Sequence, residues 1–194
     1  IKNISDEEII CDIIEESQNR ELPVYITLFQ GLPKGDKMEF IVQKAVELGA
    51  SEIVPVEMRR CVVKLDEKKA GKKIKRYEAI AEAAAKQSKR SIIPKIGNVI
   101  KYKKALEISK EYDMVLVPYE TAENMAETKK VLSSINSEIK KIAVFIGPEG
   151  GFDDDEINEA VSYGFKAISL GKRILRTETA GMTTLSILMY YLED

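Results

Sequence analysis

From Pro23 to the C-terminus, short runs rich in β-branched and aromatic residues alternate with longer amphipathic stretches. This alternation restricts the chain to helices flanking a mostly parallel sheet, an α/β fold. The runs 24–29, 52–56, 92–96, 114–118, 142–146 and 167–170 read as buried strands. Between them, Asp36 is a candidate N-cap for a helix to Leu48, with Phe40, Ile41, Ala45, Val46 and Leu48 on its apolar side and Gly49 closing it. Further helices are expected over about 67–88, around 103–109, from Asp153 to Tyr163 and from Thr177 to Leu192, where Thr177 offers itself as an N-cap. Residues 1–20 break this rhythm. Ile4, Ile9, Ile10, Ile13 and Ile14 alternate in a strand-like way before a polar run to Arg20, as at the end of an all-β element followed by a linker into a main domain over 21–194.

Composition excludes several chemistries. The chain has no histidine, which removes Ser-His-Asp hydrolysis, Cys-His proteolysis and the usual histidine metal sites. Its two cysteines, Cys11 and Cys61, are far apart, so neither a disulfide framework nor a zinc ribbon is expected, no metal is called for, and a cytoplasmic setting fits. No apolar run approaches the ~20 residues of a membrane span. The net charge of −2 conceals an uneven distribution. From Glu57 to Lys104 there are 16 Lys and Arg against 5 Asp and Glu, which is the footprint of a polyanion binder or a solvated helix face.

In parallel sheets, ligands sit beyond the carboxyl ends of strands. Three such ends carry loops richer in glycine and polar groups than a connector needs: 117–120, 147–151 and 170–178, all expected along one sheet edge. Gly147-Pro-Glu-Gly-Gly151 matches neither nucleotide-phosphate fingerprint, and the acids Asp153 to Glu156 behind it would repel a phosphate. The loop suits a neutral or cationic ligand approaching the backbone closely, or serves only as a tight turn. In 170–178, Ile174 and Leu175 interrupt Lys172, Arg173 and Arg176, giving apolar surface and backbone groups of the kind that hold an adenine.

The segments Phe145-Ile-Gly-Pro-Glu-Gly-Gly-Phe152 and Leu170-Gly-Lys-Arg-Ile-Leu-Arg-Thr-Glu-Thr-Ala180 resemble those of the RsmE-type ribosomal RNA uracil-N3 methyltransferases of the SPOUT class. Upstream, 34–39, 43–49, Arg60, Lys64-Leu65 and 82–90 agree as well, so the resemblance runs from about Leu28 to the C-terminus. It implies a C-terminal deep trefoil knot around an S-adenosylmethionine site, with residues 1–20 the remnant of an N-terminal PUA-like β-barrel plus linker. It also implies a homodimer acting on 16S ribosomal RNA or the small ribosomal subunit, at N3 of a specific uridine.

That imide is protonated at neutral pH, so the enzyme must align it with the methyl group and stabilise the developing anion. Arg176 and Arg90 are the candidate cations, and Glu178 or Glu149 the candidate proton acceptors. The expected cofactor contacts are Pro118, Tyr119, Gly147, Glu149, Gly150, Leu170, Gly171, Ile174, Leu175, Arg176 and Thr179. Arg60, Lys72, Lys73, Lys75 and Arg76 are expected to bind RNA. Two other readings stand beside this one, a SPOUT enzyme methylating a ribose 2′-hydroxyl and a non-enzymatic RNA-binding module.

Overall fold

The computed structural model describes residues 1–15, 19–120 and 125–193. A parallel sheet of seven strands dominates these residues: β3 (Tyr25–Gly31), β4 (Glu52–Glu57), β5 (Lys95–Ile96), β6 (Ile100–Lys101), β7 (Met114–Pro118), β8 (Lys141–Ile146) and β9 (Lys166–Ile168). The spatial order is β5-β4-β3-β8-β7-β9, with β6 also pairing β4. The run expected over 92–96 is therefore a broken edge, pairing β4 first at Lys95 and Ile96 and again at Ile100 and Lys101.

Successive residues of a strand point to opposite faces, and here both faces are covered. Ile26 and Leu28 of β3, with Ile142, Val144 and Ile146 of β8, pack under α1 (Lys37–Glu47), α2 (Glu67–Gln87) and α6 (Thr177–Leu192). Phe29 of β3 and Phe145 of β8 point the other way, under α3 (Tyr102–Ser109) and α5 (Asp154–Ser162), with ring centroids 4.7 Å apart. α6 lies against α1 and β8, burying Leu185 and Leu188. α4 (Met125–Ser133) was not evident from the sequence; it buries only Thr128 and Leu132, too sparse a pattern to declare a helix.

Two helix starts differ from expectation. Asp36 occupies the N-cap position of α1, but its side chain makes no cap hydrogen bond. The N-cap of α6 is Arg176, whose backbone is still extended, and Thr177 is the first helical residue, its hydroxyl donated to the Gly147 carbonyl at 2.6 Å. At the N-terminus, β1 (Asn3–Ile4) and β2 (Ile9–Ile10) form a short antiparallel hairpin with exposed isoleucines. Residues 16–18 of the expected linker lie outside the described residues.

Candidate active site

Strands β8, β7 and β9 are neighbours in one parallel sheet, so the loops at their carboxyl ends meet. They enclose a cavity of about 530 Å³, within the size range of small-ligand sites. Its walls are Pro118 to Glu120 at the end of β7, Gly147 to Phe152 after β8, and Leu170, Gly171 and Arg173 to Thr177 between β9 and α6, with Lys37 and Ala180 completing the rim. Of the cofactor contacts expected from sequence, all but Thr179 line this cavity. Thr179 faces the opposite side of α6, in a groove with Met182, Ile187 and Tyr190.

The loops are tied to rigid elements. Gln30, fully buried at the end of β3, donates to the Thr177 hydroxyl at 2.8 Å, and Thr177 passes its own hydrogen to Gly147. Tyr119 donates its hydroxyl to Asp154 at 3.0 Å. A capping box starts α5: Asp153 accepts the Asp155 N–H, while Glu156 accepts the Asp153 N–H at 2.9 Å. The acids behind the glycine loop serve the helix start, as their sequence position suggested, and Asp153 and Asp155 also hold Arg59, which it did not. At Gly147 a Cβ would come within 3.0 Å of the Gly151 carbonyl carbon, so this turn closes only around glycine.

The cavity also holds a charge cluster of which sequence reasoning missed the centre. Lys37 donates to Glu149 at 2.9 Å and stands 3.8 Å from Glu178. Glu149 also accepts the Lys34 N–H at 3.0 Å. Burial pushes the Glu149 carboxyl upward, but the Lys37 ammonium and the Lys34 N–H outweigh it and hold the group below its ordinary value of 4.5. Glu178 is set back behind Lys37, and its Oε2 is buried without a hydrogen-bond partner. The only sequence signal for Lys37 was its place in the segment 34–39, read as part of a resemblance and not as a wall of the site.

Arg176 lines the cavity, exposed, with no ion pair among the described residues. Arg90 is elsewhere, with a side chain only 6% exposed. It donates to Glu21 and to the carbonyls of Val46 (3.0 Å) and Ala50 (2.6 Å), pinning the domain's entry to α1, and it is absent from the cavity wall. Lys72, Lys73 and Lys75 on α2 make no ion pair among the described residues, whereas Arg76 is bound to Glu39 and Arg60 to Asp153. No three His, Cys, Asp or Glu side chains among the described residues come together as a metal site, and no helix there is long and apolar enough to cross a membrane.

The cavity suits an adenosyl sulfonium on its own features. Leu170, Ile174 and Leu175 offer apolar surface, the glycine turns expose backbone, and Glu120 and Glu149 supply negative charge. Comparison with known proteins agrees. The family described as an RNA methyltransferase domain matches residues 20–189. The ribosomal RNA small subunit methyltransferase E of Bacillus subtilis is 39% identical over 100% of this chain and 77% of its own length. That of Mesomycoplasma hyopneumoniae is 40% identical over 91% of this chain and 74% of its own. Among solved structures, the Neisseria gonorrhoeae ribosomal RNA small subunit methyltransferase E, bound to S-adenosyl methionine, superposes with a TM-score of 0.78 at 36% identity. That superposition covers 88% of this chain and 68% of the other.

Proposed function

The chain belongs to the RNA methyltransferase domain family, and from that premise we propose that it is a cytoplasmic, S-adenosylmethionine-dependent enzyme methylating N3 of a specific uridine in 16S ribosomal RNA. The observation that carries this reading is the convergence of three strand-end loops on one cavity, with an arginine at its wall that makes no ion pair among the described residues. Bound S-adenosylmethionine supplies an electrophilic methyl group on a cationic sulfur. Leu170, Gly171, Ile174 and Leu175 would hold its adenosyl part, with Pro118, Tyr119, Gly147 and Gly150 framing the rest.

The chain's own groups then have two tasks at the base. One is to accept the N3 proton, and Glu149 is better placed than Glu178 because it lies on the cavity wall. The other is to neutralise the uracil anion, for which Arg176 is our choice over Arg173, which also lines the cavity without an ion pair among the described residues. Lys72, Lys73 and Lys75, free of ion pairs among the described residues, are the phosphate contacts of this reading. The return of residues 170–177 across the strand ends to place α6 against α1 and β8 supports a trefoil knot at the C-terminus. The exposed isoleucines of the β1–β2 hairpin support residues 1–20 as the end of a PUA-like barrel.

The test is methyl transfer to small ribosomal subunits that lack the modification, followed by digestion to nucleosides and mass spectrometry. 3-Methyluridine is expected. A 2′-O-methylated nucleoside would replace the base reading with the ribose one, and RNA binding with no transfer would leave a binding module.

A homodimer belongs to the same reading. The outer face of α6 forms an apolar groove of about 480 Å³ with Met182, Ile187, Tyr190 and Tyr191, and Tyr190 is 80% exposed. A helix apolar on both its inner and outer faces calls for a second partner. Light scattering is expected to return twice the 21.8 kDa chain mass, and Ile187→Lys with Tyr190→Lys to return the single mass. A monomeric parent protein at micromolar concentration would refute it.

A further inference from the structure

Arg60 carries positive charge within the basic block, and a role in binding phosphate was the natural expectation from sequence. Its surroundings say otherwise. The chain turns sharply after β4, with the Cys61 N–H bonded to the Met58 carbonyl at 3.1 Å. This turn is fastened to the start of α5, because buried Glu156 accepts the Arg59 N–H at 2.9 Å. From that anchored base the Arg60 guanidinium reaches across to the glycine loop. Nη1 donates to the Gly150 carbonyl at 3.1 Å and Nη2 lies 3.5 Å from Asp153 Oδ2. The stem packs as closely as the head: a Cβ on Gly150 would sit 3.0 Å from Arg60 Cβ.

We propose that Arg60 is a positioning residue for the cofactor loop, holding Gly147–Phe152 in its ligand-ready form through the Gly150 carbonyl and Asp153. The proposal rests on the reading of the cavity as an S-adenosylmethionine site. The loop has no ladder or helix of its own; Thr177 and Lys37 hold it at Gly147 and Glu149, and without Arg60 a ligand would bear the cost of ordering its Gly150 end. A guanidinium presents a planar fork that serves a carbonyl and a carboxylate together, which the single ammonium of lysine reproduces poorly. Arg60 is thereby removed from the phosphate contacts, which fall to the lysines of α2.

Three measurements on the full chain test this. Amide exchange across residues 147–152 reads the clamp without any ligand, and Arg60→Ala is expected to speed it while α2 exchange is unchanged. Calorimetry with S-adenosylmethionine is expected to show about a tenfold loss of affinity for Arg60→Ala, as for one hydrogen bond to a charged group. Arg60→Lys should recover only part of it. Gly150→Ala should weaken binding too, and less than additively with Arg60→Ala because both disturb one contact. RNA titrations without cofactor should give Arg60→Ala the parental salt slope, whereas Lys72, Lys73 and Lys75 reversed to Glu should flatten it by roughly 0.7 to 0.9 per contact.

Unchanged loop exchange in Arg60→Ala overturns the proposal, as does unchanged cofactor affinity with a flattened RNA slope. If the parental protein does not bind S-adenosylmethionine, the reading of the cavity fails instead, and the exchange experiment still decides the clamp.

Discussion

Arg90→Ala is expected to destabilise the fold by about 3–5 kcal/mol, the cost of breaking a buried ion pair by removing one partner. The arginine side chain is 6% exposed and its Glu21 partner 12%, so both charges are largely withheld from water. Truncation leaves the Glu21 carboxylate with only the Ser91 and Ile92 N–H groups and takes Nη1 from the Val46 and Ala50 carbonyls. Urea unfolding followed by circular dichroism measures the loss, and Glu21→Gln in the same chain should restore part of it. The effect also depends on pH. Burial raises the Glu21 carboxyl, but Arg90 and the N–H groups of Ser91 and Ile92 bring it below its ordinary value of 4.5. A carboxyl lowered in the folded state stabilises above its unfolded pKa and loses that contribution as pH falls through the folded value. The gap between parent and variant should therefore narrow below pH 4.5. Cofactor affinity per folded molecule should stay at the parental level, because Arg90 is not on the cavity wall. A stable variant that fails in methyl transfer would return Arg90 to the reacting base.

Arg176→Ala is expected to lower kcat for methyl transfer by roughly 10²–10³, the usual cost of removing one preorganised donor to a developing anion. Affinities for S-adenosylmethionine and RNA should change by only a few fold, since the stabilised charge is absent from both ground states. The fold should tolerate the change: Arg176 is the N-cap of α6 in an extended backbone conformation, and its side chain makes no cap hydrogen bond. Single-turnover rates separate the outcomes. A raised KM with an unchanged rate would make Arg176 a substrate-binding contact, and the anion would then need another cation, with Arg173 the next on the wall because Lys37 is held by Glu149.

The element order and the converging loops were legible in the sequence because their signals are local. A β-branched run ended by a glycine, as at Gly147 after β8, announces a strand end wherever it falls in space, whereas β9 stops at Ile168, short of the expected Leu170. The misses were questions of direction and distance. Thr179 belongs to a loop-to-helix segment otherwise given to the cavity, but one helical step turns it to the far face of α6. Glu178, its neighbour, lies behind Lys37, which reaches the cavity from α1. Arg90 and Arg176 are alike as charges in a sequence. Only the partners brought from residues 21, 46 and 50 distinguish a structural arginine from an open one. Thr177 read as a cap because threonine before a helix generally is one, yet Gly147, distant in sequence, claims its hydroxyl.

The strand order has a further consequence for how the molecule comes into being. β3 finds β4 soon after it, but its other neighbour is β8, so Tyr25 waits for Lys141. A chain emerging N-terminus first can assemble β3, α1, β4 and α2 while the second edge of β3 still shows unpaired N–H and C=O groups beside Ile26 and Leu28. Such an edge is a template for pairing with another nascent copy. The strand that closes it is the one that carries the glycine loop, so the ligand cavity is completed in the same late event. Anything that fills the cavity favours the closed sheet by mass action, in proportion to its concentration over its Kd. Supply of the methyl donor would then govern the yield of folded protein as well as its turnover.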